Sequence, residues 1–219
     1  MKKVPAVILV HEWMGLGDHV KERADRIAKE LGLNAFAADI YGKGVRPKDA
    51  AEAGATAGTY KNDRALMRKR ILAAIEEVKK LPHVDSSKIA VIGYCFGGTV
   101  AIESALTGAD LKGIVSFHGG LASPNLTDAQ NIKGKVLVLN GGDDPFVKKE
   151  EVDTFVDSMK KGKVDYQFVA FANTVHSFTN KAAGNDNSKG AAYNEQSDKR
   201  SWEEMKDFFN EIFELKTMK

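Results

Sequence analysis

Residues 88–99 read KIAVIGYCFGGT, and this stretch decides the fold of the chain. Its first half is an apolar, β-branched run typical of a buried strand, and the segment from residue 96 to 106 reads as a helix. Between them lies the nucleophile-elbow pattern, in which one glycine stands two residues before the nucleophile and another stands two residues after it. Cys95 takes the place of the nucleophile, and the glycines allow a tight turn without steric clash. The stretch therefore predicts a nucleophilic Cys95 above a sheet, rather than a buried and inert cysteine.

Outward from this stretch, short apolar runs alternate with amphipathic segments. Strands are predicted over residues 4–10, 34–40, 88–93, 111–117, 135–140 and 166–171, with helical periodicity after most of them. Residues 42–58, rich in Gly and Ala, and the polar residues 178–195 are predicted as irregular loops. This order predicts a single α/β domain over residues 1–219 with a mostly parallel, doubly wound sheet flanked by helices. In such sheets functional residues gather in the loops after the strands.

Composition narrows the class of partner. Lys and Arg number 32 against 30 for Asp and Glu, which gives no electrostatic reason to expect nucleic acid or an anionic membrane. No apolar run approaches the roughly 18–20 residues that span a bilayer. A single cysteine excludes an intramolecular disulfide and suits a reducing compartment. We expect a cytoplasmic monomer or small homo-oligomer, with the periplasm or secretion open if a signal peptide has been removed.

A base and an acid follow the proposed nucleophile in the order that this kind of fold requires. Asp143 and Asp144 come directly after the strand at 135–140, and His176 follows the strand at 166–171. Either aspartate suits the order of nucleophile, acid and histidine. Taken singly, the aspartates could only cap a helix and His176 could be an ordinary loop histidine. Their joint occurrence downstream of Cys95 predicts a catalytic triad.

The loop after the first strand is the expected partner of the elbow. In this kind of fold it supplies one backbone N–H of the oxyanion hole, and the residue after the nucleophile supplies the other. Those two amides are Trp13 and Phe96. Glu12 is an unusual carboxylate at such a position, although it could simply be exposed.

The remaining histidines and glycines do not indicate a metal or a cofactor. We expect His11 to be structural, His19 and His83 to be solvated, and His118 to line the site. None has further metal ligands at a useful spacing, so no metal is predicted. Gly15 and Gly17 lack the third glycine of a dinucleotide fingerprint, so no cofactor is predicted.

Five segments in this order resemble the dienelactone hydrolase family: HEW (11–13), DIYG (39–42), GYCFGG (93–98), DPFV (144–147) and VHSF (175–178). The resemblance implies an α/β-hydrolase fold and a triad of Cys95, Asp144 and His176, which selects Asp144 over Asp143. It also implies that Glu12 contacts the nucleophile and helps to form its thiolate when substrate binds.

Two departures from the family are visible. Members usually begin with a β-hairpin before the first strand found here, so we expect that hairpin to be lacking. Enzymes that act on dienelactone hold its carboxylate with arginines, and the position four residues after the catalytic histidine is Asn180 here. Arg64 lies in the region that supplies another pocket residue. We expect an apolar pocket that is lined by Trp13, Tyr41, Phe146 and Phe178.

These features predict a cofactor-independent hydrolase of small carboxylic esters or lactones that works through an acyl-enzyme intermediate. The alternative is a binding or sensing protein that keeps the hydrolase fold and turns over little, an idea motivated by the missing hairpin and by Asn180. A redox-sensing thiol is a third possibility, but the chain lacks a resolving cysteine.

Overall fold

The computed structural model describes residues 3–215, and its strands form one six-stranded sheet. All five pairings between neighbouring strands are parallel, and the spatial order is β2-β1-β3-β4-β5-β6. The strands are β1 (Val4–Val10), β2 (Asn34–Ala38), β3 (Val84–Tyr94), β4 (Gly113–Phe117), β5 (Lys135–Gly141) and β6 (Tyr166–Phe171). Because every strand runs the same way, the loops that follow them meet at one edge of the sheet.

Helices cover both faces of the sheet and bury a separate apolar core on each. The helices are α1 (Asp18–Leu31), α2 (Ala50–Asn62), α3 (Arg64–Lys79), α4 (Phe96–Leu106), α5 (Lys149–Lys161) and α6 (Glu195–Phe213). Helices α1 and α6 pack on one face, and α2 to α5 pack on the other. The predicted doubly wound α/β-hydrolase fold is confirmed. No helix within residues 3–215 has both the length and the apolar character needed to cross a membrane.

The segment predicted as an irregular loop over residues 42–58 contains helix α2, so that prediction is wrong. Asp49 caps the helix by accepting the backbone N–H of Glu52 at 2.9 Å, and the Glu52 carboxylate in turn accepts the N–H of Lys48 at 2.9 Å. Ala53 and Ala57 are buried on one face of the helix. Reciprocal capping and this packing outweigh the low helix propensity of the glycines.

The long segment after β6 is irregular, as predicted, apart from two short 3-10 turns at Lys181–Ala183 and Asn187–Lys189. It folds back on itself beside the strand ends. The N–H of His176 donates to the Gly190 carbonyl at 3.1 Å, and the N–H of Ala192 donates to the His176 carbonyl at 3.0 Å. These two bonds fix the backbone of His176 although it lies outside any regular element.

Candidate active site

Cys95 lies in the sharp turn between β3 and α4. Its φ of 55° and ψ of −114° are unusual for a residue with a side chain, as expected for a strained elbow. A Cβ at Gly93 would lie 1.9 Å from the Gly97 carbonyl oxygen, and a Cβ at Gly97 would lie 2.3 Å from the Val10 carbonyl oxygen. Both glycines are therefore required by close backbone contacts. The turn also places Cys95 at the N-cap of α4.

The structure brings Cys95, His176 and Asp144 together. Nδ1–H of His176 donates to Oδ2 of Asp144 at 2.8 Å, and Oδ1 of Asp144 accepts the N–H of Phe146 at 2.9 Å. Asp144 is buried, whereas Asp143 is exposed. Because Asp144 occupies Nδ1, the other ring nitrogen of His176 is left for Cys95.

The surroundings of His176 favour its charged form. Burial alone would lower the pKa of His176, but hydrogen bonds with Asp144 and Cys95, together with their negative charges, raise it to about 10. A histidine with this pKa can hold a proton taken from a neighbouring thiol. The side chains of Cys95 and His176 line the same cavity.

A cavity of about 310 Å³ opens onto Cys95. Phe146 stands at its mouth with 61% of its surface exposed, and its ring meets the His176 ring edge-on at 5.2 Å. The lining residues are Trp13, Lys61, Cys95, Gly120, Phe146, Val147, His176, Ser177 and Ala191. This wall is mainly apolar and carries a lysine, which suits a small organic substrate.

Of the two predicted oxyanion donors, Trp13 lines this cavity, and Phe96 directly follows Cys95 in the elbow. Phe96 is the first residue of α4, so its N–H has no acceptor within the helix. Trp13 lies in the loop after β1 and lines the cavity. The Tyr41 hydroxyl donates to the Trp13 carbonyl at 2.9 Å, and Tyr60 donates to the Tyr41 carbonyl at 3.2 Å. Tyr41 thus supports the loop of Trp13 from below.

Glu12 is held by Asn180 and His19 and does not line the cavity at Cys95. Its Oε2 accepts Nδ2–H of Asn180 at 2.7 Å and lies 3.5 Å from Nδ1 of His19. Burial alone would raise the pKa of Glu12, but the contacts with His19 and Asn180 and the charge of His176 lower it. Glu12 is consequently ionised at neutral pH, and its carboxylate is engaged by Asn180.

Three residues that were predicted for the pocket lie outside the cavity at Cys95. Arg64 donates to the Ala122 carbonyl at 3.1 Å and lines a neighbouring cavity with Glu150 and Glu151. Tyr41 is buried beneath the Trp13 loop. Phe178 is fully buried and packs in the core between the sheet and α6. None of them lines the cavity at Cys95, whereas Phe146 does.

Lys61 is a cavity residue that the sequence reasoning missed. It lies near the end of α2, in a segment for which no helix was predicted. The signal that could have placed it is the capping pair of Asp49 and Glu52, which is typical of a helix start.

The histidines fall into distinct roles. His11 is fully buried and accepts the N–H of Ile40 at 3.2 Å, in agreement with a structural role. His19, predicted to be solvated, is largely buried against Glu12 and the carbonyl of Thr179, so that prediction is wrong. His118, expected to line the site, is instead fully buried beside Cys95 and does not line the cavity. Within residues 3–215, no group of three or more His, Cys, Asp or Glu side chains is arranged to hold a metal ion.

Comparison with known proteins finds relatives that share the fold and much of the sequence. A family model described as "Dienelactone hydrolase family" matches residues 1–213. A solved structure named m3DLH superposes with a TM-score of 0.91 and 40% identity, covering 97% of this chain and 88% of its own. A protein of Aquifex aeolicus (strain VF5), provisionally named carboxymethylenebutenolidase, is 32% identical over 80% of this chain and 77% of its own length.

A second solved structure is a dienelactone hydrolase-like promiscuous phosphotriesterase from metagenomic libraries. It has a TM-score of 0.90 and 42% identity to this chain, and the match covers 97% of this chain and 88% of that one. The similarity therefore extends over the whole sheet and the loops that surround Cys95.

Proposed function

This chain belongs to the dienelactone hydrolase family, and on that premise we propose that it hydrolyses small carboxylic esters or lactones through a triad of Cys95, His176 and Asp144. The observation that carries the proposal is the 2.8 Å bond from His176 to the buried Asp144, together with a cavity that both Cys95 and His176 line. The reaction needs no cofactor, because the side chains and amides present supply every group that it uses.

The reaction proceeds in two halves. His176 takes the proton of the Cys95 thiol, and the thiolate sulfur attacks the ester carbonyl carbon. The oxyanion that forms is held by the N–H groups of Trp13 and Phe96. The carbon–oxygen bond then breaks, and the imidazolium gives its proton to the departing alkoxide. In the second half, His176 takes a proton from water, the hydroxide attacks the thioester, and the carboxylic acid leaves as the thiolate is restored.

His176, rather than Glu12, is the base in this proposal. The pKa of His176 is raised to about 10, whereas the pKa of Glu12 is lowered by its contacts with His19 and Asn180. A carboxylate with a lowered pKa is a poor acceptor for a thiol proton. Glu12 instead contributes a fixed negative charge near the imidazolium of His176.

The cavity favours small substrates with an aromatic or apolar portion. Phe146 and Trp13 form an exposed aromatic rim, and Lys61 adds a positive charge to an otherwise mainly apolar wall. We infer that esters with a small anionic group are preferred. Lys61 would bind that anionic group, the role that arginines have in enzymes acting on dienelactone.

Phosphotriester hydrolysis is a second candidate activity. The observation that favours it is the 42% identity to the promiscuous phosphotriesterase over 97% of this chain. In that reaction Cys95 would attack phosphorus in place of the carbonyl carbon, with the same two amides facing the oxygen that gains charge.

The test is a rate comparison on a panel of p-nitrophenyl esters, aryl lactones and an aryl phosphotriester. We expect the wild type to be active on the esters, and Cys95→Ala and His176→Ala to lose turnover, with His83→Ala as a matched control at an exposed histidine. Equal ester rates for wild type and Cys95→Ala would overturn the proposal. Saturable stabilisation by the compounds without any turnover would favour the binding protein instead.

A further inference from the structure

His118 occupies a position that the hydrolytic mechanism does not use. It follows β4 directly, is 0% exposed, and has a φ of 40°, in the region where side chains are strained. Its ring lies between the elbow and the loop that carries the catalytic histidine, 5.2 Å from the His176 ring and 5.2 Å from the Phe178 ring. Strained residues of this kind persist only where the surrounding contacts hold them, and they cluster at functional sites.

Both ring nitrogens of His118 are engaged. The N–H of Cys95 is shared between the Phe117 carbonyl oxygen, at 3.0 Å, and Nδ1 of His118, at 3.2 Å. Nε2 of His118 lies 2.8 Å from the hydroxyl oxygen of Thr179. Because a backbone N–H can only donate, Nδ1 must be the acceptor and the ring proton must be on Nε2. His118 is thus a neutral bridge that accepts from the nucleophile's own amide and donates to Thr179.

Thr179 is firmly anchored at the far end of the bridge. It is buried, and its carbonyl accepts Nη2–H of Arg23 at 2.6 Å. It lies three residues after His176 on the same loop, so its position constrains that of His176. The ring of His118 therefore spans the two backbones that carry the thiol and the imidazole.

Burial and neighbouring charges keep the bridge neutral. Burial is the main reason that the pKa of His118 lies well below its ordinary value, and the charges of His176, His19 and Arg23 lower it further. A second proton on His118 would remove the bond from the Cys95 amide and place a cation beside the His176 imidazolium.

We propose that His118, in its neutral tautomer, is a positioning residue that sets the separation of Cys95 and His176 by bridging the elbow amide to the Thr179 hydroxyl. The inference rests on the proposed roles of Cys95 and His176. It assigns His118 no contact with substrate, and its effect passes through the geometry of the thiolate–imidazolium pair.

The test uses Thr179→Val, which removes the hydroxyl at nearly constant shape, with Thr179→Ser as the conservative rescue and Thr107→Val as a matched control remote from the site. We expect Thr179→Val to lower kcat for p-nitrophenyl acetate roughly ten- to hundredfold, as displacement of a reacting group does. KM should change little, and Thr179→Ser and Thr107→Val should stay close to wild type.

The second readout is the pH dependence of alkylation by iodoacetamide, which labels a unique site because Cys95 is the chain's only cysteine. We expect Thr179→Val and His118→Asn to move the alkylation midpoint to higher pH, because a displaced His176 stabilises the thiolate less. The double variant should lose no more than the worse single variant, since both changes break one bridge.

The outcomes separate the two proposals. A folded Thr179→Val protein with wild-type kcat and alkylation profile would overturn the bridge, as would a double variant whose losses multiply. If Thr179→Val does not fold, His118→Asn gives the same decision from the other end of the bridge. Alkylation requires no turnover, so a wild type without esterase activity would refute the proposed function and leave the bridge to be decided by the alkylation midpoints alone.

Discussion

Asp143 and Asp144 are adjacent aspartates that differ in burial and in hydrogen bonding. Asp144 is buried, accepts from His176 and from the N–H of Phe146, and belongs to the proposed triad. Asp143 is exposed one residue away. The pair offers a matched comparison, because the same substitution can be made with and without loss of the contact to His176.

Asp144→Asn is expected to lower kcat for ester hydrolysis by roughly 10³–10⁴-fold, as the loss of the orienting acid does in other triads. The carboxylate helps to raise the pKa of His176 to about 10, so its removal lowers that pKa. The alkaline limb of the kcat/KM profile, where His176 loses its proton, should therefore move to lower pH. Asp143→Asn should match the wild type, and equal losses in the two variants would contradict the assignment.

Lys61 provides a prediction about substrate charge. It lines the cavity at Cys95 and is exposed, so its interaction with an anionic substrate is screened by solvent. Lys61→Met should raise KM for a p-nitrophenyl ester of a dicarboxylic acid by roughly fivefold, the effect of one charge pair near a surface. KM for p-nitrophenyl butyrate should stay constant. Lys69→Met on the neighbouring helix is the control, and a similar rise for both esters would argue against a charge effect.

At the scale of residues, sequence reasoning reached the groups that a motif fixes. Cys95 and His176 follow from the elbow and from the order of strand ends, and the family resemblance selected Asp144 over Asp143. Sequence reasoning did not reach the orientation of Glu12, because that depends on Asn180, which is 168 positions away in the chain and meets Glu12 only in the fold.

The elbow is the element whose geometry matters most for the proposed nucleophile. A side chain at Gly97 would collide with the carbonyl oxygens of Val10 and His11, which belong to the end of β1 and its loop. Backbone atoms of a central strand cannot move aside without disturbing the sheet. The conflict therefore cannot be relieved locally.

Gly97→Ala and Gly54→Ala form a contrasting pair of substitutions. Gly97→Ala should destabilise the protein by about 1–3 kcal/mol or more, as overpacking does, and should lower activity. Gly54 lies inside α2, and a Cβ added there would meet nothing within 4 Å, so Gly54→Ala should stabilise by about 0.5–1 kcal/mol. Urea denaturation measures both, and a neutral Gly97→Ala would contradict the packing of the elbow.

Helix α2 shows where element prediction failed. Its two glycines, Gly54 and Gly58, lower intrinsic helix propensity, and its apolar residues give no strong periodic stripe. The structure stabilises it by capping at Asp49 and by burying Ala53, Ala57 and Tyr60, with α3 as its neighbour. Strongly apolar strands such as β1 and β3 were predictable, because their identity does not depend on distant contacts.

At the scale of the whole molecule, one buried ion pair joins α1, α6 and the loop of the candidate active site. Nη2 of Arg23 lies 2.6 Å from Oδ1 of Asp198 and also donates to the Thr179 carbonyl at 2.6 Å. The partners are 175 positions apart in the chain, so no local pattern could have revealed the contact. Both side chains are largely buried, so neither can replace its partner with water.

Arg23→Met should lower the free energy of unfolding by about 3–5 kcal/mol, because it leaves Asp198 buried without its cation. The double variant Arg23→Met with Asp198→Leu should recover much of this loss, since no charge is then stranded. Lys149→Met removes an exposed i,i+4 pair with Asp153 and should have no measurable effect. Thermal or urea unfolding of the four proteins decides the matter, and a double variant no more stable than Arg23→Met would contradict the explanation.

The central claim is that Cys95 becomes acylated, and intact-mass spectrometry of the protein mixed with a p-nitrophenyl ester tests it most directly. We expect a transient species heavier than the free chain by one acyl group, mapped to Cys95 in the wild type and absent in Cys95→Ala. Hydrolysis by the wild type with the acyl group mapped to another residue, or an acylated species in Cys95→Ala that turns over at the wild-type rate, would contradict it.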